Sequence, residues 1–406
     1  MKNPFGGKTV STDKEKIHEI LTRGVEDIFV KDSLEKKLLS GKTLRVKLGF
    51  DPTGSNIHIG RAAVLRKLRA LQDLGHTAVF IVGDFTAQIG DPSDKLDKRP
   101  MLSKEIIKQN LKHYKKQVGK IINLKKAEFY YNSKWLSKLG FQEICQLAES
   151  FSVQQMLARR NFKERIEKGE EISLREFLYP LMQGFDSVMV KADVEISGFD
   201  QLFNLKAGRI IQKHHKQPEQ DVLTVQMLEG TDGRKMSTSW GNVINISDAP
   251  NDMFGKVMSI RDNLISKYFL LCTDMPEAEI NAIEKSFEMG FNPRDAKIKL
   301  AEAIVATYHG KDFAEKAKQS FINTFQKGSV PEDVLEINLV PNTVLVDALL
   351  VNDIVKSKAE FRRLVEEGAV QNMDDSTRVT DPLFTVWKDA TFKIGKRRFV
   401  KIKIES

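Results

Sequence analysis

The sequence predicts an α/β protein in which a Rossmann-like domain with a parallel sheet precedes an α-helical domain and a small C-terminal α+β module. Two observations support this prediction. Residues 44–50 and 77–83 are apolar runs separated by helical spacing over 60–74, which together form a strand–helix–strand unit typical of parallel sheets. From 249 to 326 the apolar spacing is helical. Ligands of such sheets bind beyond the carboxyl ends of the strands.

The other elements are predicted by the same spacing rules. Residues 13–40 are expected to be helical, because Ile17, Ile20, Leu21 and Val25 recur at helical intervals among charges. Further apolar runs predict strands at 128–131, 193–196 and 221–225. A proline-punctuated stretch predicts a linker before the last segment. The expected boundaries are 1–40 for an N-terminal helical segment, 41–247 for the Rossmann-like domain, 248–327 for the helical domain, 328–342 for the linker and 343–406 for the C-terminal module.

Composition restricts the class of protein. The chain has 406 residues, 41% of them hydrophobic, so a sizeable core is expected. No apolar run has the length of a signal peptide or a membrane span, and Cys145 and Cys272 lie far apart, so we expect a cytoplasmic protein without a disulfide framework or a thiolate zinc site. The net charge of +9 favours a polyanionic partner, although a solvated basic surface explains it equally well.

The first polar constellation, residues 51–61, lies between a predicted strand and the helix that follows it. A helix N-terminus offers unpaired amides and a positive dipole end to phosphate, and Thr53 and His58 can donate side-chain hydrogen bonds. Gly60 would let a flat base approach the backbone. The alternative is a polar turn capped by His58. The sequence lacks both the Gly-rich dinucleotide fingerprint and the GxxxxGK[ST] loop, so a nucleotide must be held in another way.

The second constellation is the loop 233–239, GRKMSTS, which carries cations and hydroxyls after the strand at 221–225. Mobile groups of this kind can close on a leaving pyrophosphate and stabilise charge that develops in the transition state. Taken alone, a basic loop rich in Ser and Thr is most often only solvated.

The third constellation lies on a predicted helix. Tyr179, Gln183 and Asp186 stand at i, i+4 and i+7 and therefore share one face. Three polar groups there could hold the ammonium and the phenol of a ligand. An exposed helix face is the alternative.

These motifs resemble those of a known family. HIGR at 58–61 (His58, Ile59, Gly60, Arg61) and KMSTS at 235–239 resemble the HIGH and KMSKS signatures of class I aminoacyl-tRNA synthetases. The segments 89–93, 176–191, 193–195, 198–201 and 292–297 resemble tyrosyl-tRNA synthetases, most closely the second bacterial subfamily, and the resemblance runs from about residue 40 to 404.

The resemblance implies residue roles in tyrosine binding. Asp91, Tyr179 and Gln183 would hold the tyrosine ammonium, and Asp186 would accept the phenol hydrogen bond. A buried carboxylate that accepts a hydrogen bond from a phenol is left unpaired when phenylalanine binds, so the site rejects phenylalanine. This enzyme family is a known example of such discrimination. The residues that would line the pocket or hold the carboxyl end of tyrosine are Gly49, Asp51 and Gln201.

The resemblance also implies an ATP site. Thr53 and His58 would stabilise the reacting phosphates, Lys235 and Thr238 would form a mobile clamp, and Asp200 would take the ribose. The other residues implied to contact ATP are Gly60, Arg61, Met236, Ser237 and Ser239. ATP would enter with Mg²⁺, and no carboxylate cluster in the sequence marks a metal site of the protein itself.

The chain departs from the family pattern at four places. Arg61 stands at the fourth position of the first signature, where His or Asn is usual, and Thr238 replaces the second Lys of the loop, for which Arg234 is a candidate substitute. Lys47 stands where the other bacterial branch has a second phenol-binding Tyr, which leaves Asp186 without an obvious partner. Ser197-Gly198-Phe199 replaces the usual Gly-Gly-x before Asp200, and the bulky Phe199 could shift that carboxylate.

The last segment carries clustered basic residues on a predicted helix and a strand-turn. Its order resembles the small RNA-binding module shared with a ribosomal small-subunit protein. The expected RNA-binding residues are Lys356, Lys358, Arg362, Arg363, Lys396, Arg397 and Arg398. A solvated basic face is the alternative.

The resemblance implies an enzyme that joins L-tyrosine to ATP, releases pyrophosphate and transfers the tyrosyl group to tRNA(Tyr), working as a homodimer without a membrane partner. Two alternatives stay open at this stage. One is a tryptophan-specific relative, against which Asp186 and Gln183 argue. The other is a synthetase-like RNA-binding protein with reduced catalysis, for which Arg61 and Thr238 are the only support.

Overall fold

A computed structural model describes residues 10–93, 101–326, 334–375, 377–395 and 398–405. The α-helices within these ranges are α1 Lys14–Thr22, α2 Lys31–Leu39, α3 Ile59–Asp73, α4 Thr86–Ile89, α5 Lys104–Leu111, α6 Tyr114–Val118, α7 Ser133–Leu136, α8 Phe141–Ala148, α9 Val153–Leu157, α10 Arg160–Glu167, α11 Leu174–Val190, α12 Leu202–His214, α13 Pro250–Met258, α14 Ile265–Cys272, α15 Glu277–Glu288, α16 Pro293–His309, α17 Lys311–Gln326, α18 Leu345–Val351 and α19 Lys358–Glu366. The strands are β1 Val25–Phe29, β2 Arg45–Phe50, β3 Thr77–Val82, β4 Ala127–Tyr131, β5 Val194–Gly198, β6 Asp221–Val225, β7 Leu335–Leu339, β8 Thr343–Val344, β9 Val370–Asn372, β10 Thr385–Val386, β11 Ala390–Ile394 and β12 Arg398–Ile404.

The predicted α/β class with a Rossmann-like parallel sheet is confirmed. Across the described residues, six strands form one sheet in the order β1-β6-β5-β2-β3-β4, and neighbours are parallel except β1 with β6. Its central strands are apolar because helices cover both faces, and Leu48, Phe80 and Ile196 are completely buried. Every strand predicted in this region is present within a few residues of its expected bounds.

The prediction of continuous helix over 13–40 is wrong, because strand β1 separates α1 from α2. Gly24 ends α1 with a φ of 62°, and Val30 begins α2 with a φ of 66°. Between these two left-handed residues, the chain pairs antiparallel with β6, Val25 opposite Val225. Local spacing cannot reveal this strand, because the partner that stabilises it lies far along the chain.

Because these strands are parallel, the loops that follow them lie at one edge of the sheet. The segments that follow β2, β3, β4, β5 and β6 all begin at the carboxyl ends of their strands. His58 is the N-cap of α3, and its imidazole accepts a hydrogen bond from a backbone amide of the first turn. This edge therefore collects a helix N-terminus and four further loops.

Helices α11 and α12 pack closely on the sheet because Gly184 has no side chain. A Cβ atom at Gly184 would lie 2.9 Å from Ile211 Cγ1 and 3.2 Å from the backbone oxygen of Ala207. The close approach positions the polar residues of α11 over the carboxyl edge of the sheet.

The C-terminal module is built around its own apolar core. Strands β7, β12, β11 and β9 form a sheet in that order, with β12 and β7 parallel. Phe361 of α19 packs with Phe392 and Ile402 in this core. The stretch predicted as a linker, 328–342, contains β7 in its described part, because the alternation of Leu335, Ile337 and Leu339 suits a half-buried strand.

Helices fill most of 249–326, as the periodicity predicts. The chain divides into two compact units, one made of 10–248 with Ser259–Leu300 and the other of Ala249–Met258 with the described residues from Ala301 onward. The domain boundaries expected from sequence stay a prediction. Among the residues that the structure describes, no helix is both long and apolar enough to cross a bilayer.

The packing at Gly184 predicts an unusual substitution effect. Gly→Ala inside a helix normally stabilises by about 1 kcal/mol. We expect Gly184→Ala instead to destabilise by about 1–3 kcal/mol, because the added methyl meets the backbone of α12. Urea unfolding measures the change in the free energy of unfolding. Met189→Ala, at an exposed position of the same helix, is the control and should change it by less than about 0.5 kcal/mol; a stabilised Gly184→Ala would contradict the packing argument.

Candidate active site

A cavity of about 370 Å³ opens at the carboxyl edge of the sheet. Every residue that sequence analysis assigned to tyrosine or ATP lines this cavity. These residues are Gly49, Asp51, Thr53, His58, Gly60, Arg61, Asp91, Tyr179, Gln183, Asp186, Asp200, Gln201, Lys235, Met236, Ser237, Thr238 and Ser239. The structure thus brings them together in one site, and their individual roles stay predictions.

The segment 244–246, which follows the second signature, pairs with the start of α3. The backbone amide of Ile59 donates to the oxygen of Ile244 over 2.9 Å, and the amide of Ile246 donates to Ile57 over 2.9 Å. A Cβ atom at Gly54 would lie 3.3 Å from Thr238 Cγ2. The loop after β6 is therefore seated directly on the turn before α3.

The imidazole of His58 is neutral and its proton position is fixed. Its Nδ1 accepts from the amide of Arg61 over 3.3 Å, so the ring proton must be on Nε2. Burial, together with the charges of Arg61 and Lys235, lowers the pKa of His58 to about 3. At neutral pH this residue is therefore a hydrogen-bond donor without a positive charge.

The guanidinium of Arg61 is bonded to the turn that precedes α3. It donates to the backbone oxygen of Asp51 over 3.1 Å, to Thr53 Oγ1 over 3.1 Å and to the hydroxyl of Tyr114 over 3.3 Å. It also lies over the ring of Phe50, 5.5 Å from the centroid. Arg61, which departs from the family pattern, therefore holds the turn before α3 in place.

The basic loop after β6 is organised by Asn242, which is 3% exposed. Its Oδ1 accepts from the amide of Ser237 over 2.8 Å, and its Nδ2 donates to Asp232 over 2.8 Å and to the backbone oxygen of Lys235 over 3.0 Å. The hydrogen bond from Asn242, with contributions from Arg234, lowers the pKa of Asp232 to about 2. The loop is thus tied across its base.

Two cations of this loop have different surroundings. Lys235 Nζ lies 2.9 Å from Asp200 Oδ2, inside the cavity. Arg234 pairs with Asp232 over 2.6 Å and lies over the ring of Trp240, so its charge is turned toward the loop itself. Phe199 is 42% exposed and does not displace Asp200 from the cavity.

Asp186 is held by two donors that sequence analysis did not identify. Trp135 Nε1 donates to its Oδ1 over 2.7 Å, and Asn132 Nδ2 donates to its Oδ2 over 3.2 Å. Burial raises the pKa of Asp186 to about 7, against the lowering effects of Lys47 and of these two donors. The carboxylate at the end of the cavity is therefore near its titration point at neutral pH.

A hydrogen-bonded chain runs from Asn132 to Tyr179. Asn132 Nδ2 donates to Thr86 Oγ1 over 3.0 Å, and Thr86 donates to Asp51 Oδ1 over 2.7 Å. The other oxygen of Asp51 accepts from the hydroxyl of Tyr179 over 2.8 Å. At Gly83 any Cβ would collide with Asp51 and Thr86, so this chain requires glycine there.

A second polar group surrounds Asp91. Its Oδ2 accepts from Gln201 Nε2 over 2.6 Å, and its Oδ1 accepts from the amide of Ser93 over 3.0 Å. Asn204 Nδ2 donates to Gln201 Oε1 over 3.0 Å. These bonds fix the two residues that were predicted to face the backbone end of the ligand.

Two of the residues that sequence analysis missed, Asn132 and Trp135, could have been found from their position in the chain. Asn132 and Trp135 follow the carboxyl end of β4, which lies at the same edge as the predicted loops. Polar residues directly after that strand were candidates on position alone. Asn204 and Asn242 had no such signal, because they act through partners brought close only by the fold.

The predicted RNA-binding cluster is only partly described, because Lys396 and Arg397 lie outside the described residues. Arg398 Nη1 lies 2.9 Å from Glu360 Oε1, which joins the hairpin of β11 and β12 to α19. On the helix, Lys358 pairs with Asp347 over 2.7 Å and Arg363 lies 3.7 Å from Glu367. Lys356 and Arg362 are exposed.

No group of three or more His, Cys, Asp or Glu side chains suited to a metal ion occurs in the part of the chain that the structure describes. The cavity is instead lined by single carboxylates that accept hydrogen bonds from neighbours.

The family model and the full-length relatives point to the same family. Residues 39–326 match the model of the class I tRNA synthetases for tryptophan and tyrosine. The tyrosine–tRNA ligase of Thermotoga maritima is 44% identical over 395 residues, which cover 96% of this chain and 98% of that protein. The tyrosine–tRNA ligase of Shewanella oneidensis is 43% identical over 97% of this chain and 99% of its own length.

Solved structures show the same fold at lower identity. A C-terminally truncated mitochondrial tyrosyl-tRNA synthetase of Aspergillus nidulans has a TM-score of 0.62 at 23% identity, covering 77% of this chain and 93% of that one. A tyrosyl-tRNA synthetase of Archaeoglobus fulgidus, complexed with L-tyrosine, has a TM-score of 0.59 at 19% identity, covering 75% and 99%. With the family match and the full-length relatives, the chain belongs to the class I tRNA synthetases and, within them, to the tyrosine–tRNA ligases.

Proposed function

We propose that this chain activates L-tyrosine with ATP to tyrosyl-adenylate and pyrophosphate, and then transfers the tyrosyl group to the 3′-terminal ribose of tRNA(Tyr). The observation that carries the proposal is that both signature segments and the polar face of α11 line the same cavity. The names of the full-length relatives support the same reaction.

Tyrosine lies with its phenol at Asp186 and its ammonium near Asp91, Tyr179 and Gln183. Trp135 and Asn132 hold the Asp186 carboxylate in a fixed orientation. The hydroxyl of Tyr179 donates to Asp51, and a hydroxyl oxygen can also accept a hydrogen bond, as from an ammonium. Gln201, bonded to Asp91, faces the carboxyl end of the ligand. Gly49 lines the pocket beside them.

ATP enters with Mg²⁺ as the second substrate. A carboxylate oxygen of tyrosine attacks the α-phosphorus, the bond from that phosphorus to the β-phosphate bridge breaks, and pyrophosphate leaves with its electron pair. The attacking carboxylate is already an anion, so no general base is required. The chain contributes positioning and electrostatic stabilisation, in which His58 Nε2–H and Thr53 donate to the phosphates.

Lys235 of the loop is paired with Asp200, and ATP binding replaces this partner. Asp200 accepts hydrogen bonds from the ribose hydroxyls, which compete with Lys235 for the same carboxylate. Lys235 then passes to the pyrophosphate, together with Thr238 and the backbone of the loop. Binding of the ribose is thereby coupled to release of the catalytic cation.

The tRNA is bound through the helical residues 248–327 and the basic cluster of the module 343–406, where phosphate contacts would position the RNA. The enzyme acts as a homodimer in the cytoplasm. Exposed apolar side chains on the helices of the first unit, including Phe141 at 84% and Leu174 at 79% exposure, offer a surface for a second copy.

The direct test of the reaction is exchange of labelled pyrophosphate into ATP without tRNA, using tyrosine, phenylalanine and tryptophan in parallel. We expect exchange with tyrosine and about 10⁵-fold less with phenylalanine, because a site built for a hydroxyl is left unpaired by the analogue that lacks it. Preferred exchange with tryptophan would indicate the tryptophan-specific relative. No exchange with any substrate would favour an RNA-binding protein with reduced catalysis.

The pKa of Asp186 predicts the pH dependence of tyrosine recognition. Burial keeps this acid protonated to a higher pH than an exposed Asp, so it is ionised only above about 7. Because the phenol hydroxyl donates to the ionised form, kcat/KM for tyrosine should fall about tenfold per pH unit below 7 and level off above it. Trp135→Phe removes a donor to the carboxylate and should raise the pKa of Asp186. The decrease in kcat/KM should therefore begin at a higher pH in this variant. A value of kcat/KM that falls as pH rises toward 7 would mean that protonated Asp186 binds the phenol.

His58→Ala should slow the activation step and leave tyrosine binding unchanged. Loss of one donor to the transition-state phosphates costs roughly 10²–10³ in rate. Single-turnover adenylate formation and equilibrium tyrosine binding separate the two effects. His76→Ala is a matched control, since His76 Nδ1 also accepts from a backbone amide, that of Leu44, away from the cavity; equal slowing of both variants would assign the effect of His58 to folding.

A further inference from the structure

A buried polar cluster lies beneath the tyrosine end of the cavity. We call it the Glu195 cluster, and it consists of Lys47, Gln183, Ser187, Glu195 and Gln220. Lys47 is 0% exposed and Glu195 is 1% exposed, and their charged atoms lie 2.9 Å apart. Sequence analysis noted Lys47 only as a departure from the other bacterial branch, and Glu195 was assigned no function.

Every donor and acceptor of the ion pair is used. Glu195 Oε1 accepts from Lys47 Nζ over 2.9 Å and from Gln183 Nε2 over 3.1 Å. Its Oε2 accepts from Ser187 Oγ over 3.2 Å and from Gln220 Nε2. The other two protons of Lys47 go to Ser187 Oγ over 2.7 Å and to the backbone oxygen of Gln183 over 2.8 Å.

This arrangement determines which end of the Gln183 amide faces the ligand. An ionised carboxylate can only accept hydrogen bonds, so the Gln183 atom next to Glu195 must be the nitrogen. The amide oxygen is therefore at the opposite end of the group, and Gln183 lines the cavity. A ligand ammonium needs an acceptor, and the cluster supplies it by occupying the donor end.

Stability alone does not account for the cluster. A buried ion pair commonly adds no more stability than apolar residues of the same volume, because both charges lose their water. The fold nonetheless makes room for it: a Cβ atom at Gly208 would lie 2.3 Å from Gln220 Nε2 and 3.0 Å from Ser187 Oγ. The distinguishing property of the pair is its hydrogen bond to an amide that lines the cavity.

We propose that Glu195, held in place by Lys47, is a positioning residue that sets the polarity of the Gln183 amide, so that the amide oxygen accepts from the ammonium of tyrosine. The proposal rests on the proposed function, in which Gln183 contacts that ammonium. Glu195 itself touches no substrate. Its effect should therefore be confined to ligands that carry an ammonium group.

The test is direct calorimetric binding of two ligands, L-tyrosine and 3-(4-hydroxyphenyl)propionate, which lacks the ammonium. In the double variant Lys47→Met with Glu195→Met, both charges are removed together, and the Gln183 amide loses its anchor. We expect the Kd of tyrosine to rise roughly tenfold or more, since a hydrogen bond to a charged group is lost or misdirected. Binding is measured well above pH 7, where Asp186 is ionised even without the lowering effect of Lys47 on its pKa. The Kd of the propionate should then change by less than about twofold. Equal weakening of both ligands, or no weakening of tyrosine, overturns the proposal.

The conservative variant Glu195→Gln should restore most of the tyrosine affinity. Its amide oxygen can still face Lys47 and Gln183, while its nitrogen takes the place of the oxygen that accepts from Gln220 Nε2. A flip of the Gln220 amide then turns its Oε1, which accepts no hydrogen bond from any residue in the described ranges, toward that nitrogen. Glu195→Asp keeps the charge opposite Lys47 but withdraws the carboxylate from Gln183, and it should weaken tyrosine alone. This variant supplies the result if the double variant does not fold, and weakening of both ligands by it would overturn the proposal.

Two further variants distinguish failure of the positioning role of Glu195 from failure of the proposed contact between Gln183 and the tyrosine ammonium. Arg45→Met with Glu128→Met removes an ion pair of the same sheet, with charged atoms 2.6 Å apart, and neither of these residues lines the cavity; both ligands should bind this variant unchanged. Gln183→Ala tests the underlying assignment. If it weakens tyrosine and the Glu195 variants do not, only the positioning role fails. If Gln183→Ala leaves tyrosine binding intact, the ammonium assignment of the proposed function fails, and the positioning role fails with it.

Discussion

Parallel pairing of β2 with its neighbours is the constraint on which the site depends. Because parallel strands end at the same edge, the polar segments after β2, β3, β5 and β6 are collected there, although they are far apart in sequence. The backbone bonds of Ile57 and Ile59 with Ile246 and Ile244 then join the segment that follows the KMSTS loop to the start of α3. A change in strand register would separate these groups without altering any of them.

Within this frame, burial controls which groups carry charge. The same loss of water keeps His58 neutral and raises the pKa of Asp186, one by disfavouring a cation and the other an anion. Lys47 and Glu195 pair with each other, and each has its full set of hydrogen-bond partners. The cavity thus holds a neutral donor at the start of α3 and a titrating acceptor on α11.

Apolar spacing predicted the parallel sheet, and the resemblance of short motifs to a known family identified many of the residues that line the cavity. They did not predict β1, whose pairing partner is distant, or the strand β7 within the expected linker. The sequence analysis also missed Asn132 and Trp135, although they follow β4 at the carboxyl edge, and Asn242, whose bonds depend on the conformation of its own loop. Arg61 was identified as part of the site, but its bonds to the turn depend on geometry that spacing does not contain.

Strand β1 has a consequence for how the chain folds during synthesis. Val25 pairs with Val225, so about 200 residues are added after β1 before its partner has been made. At roughly 5–20 residues per second, this delay is on the order of ten to forty seconds. Throughout that time the apolar side chains of α1 and β1 have no sheet to cover, and the N-terminal segment is a candidate for chaperone binding on the ribosome. Once it docks, it closes the edge of β6 to other chains.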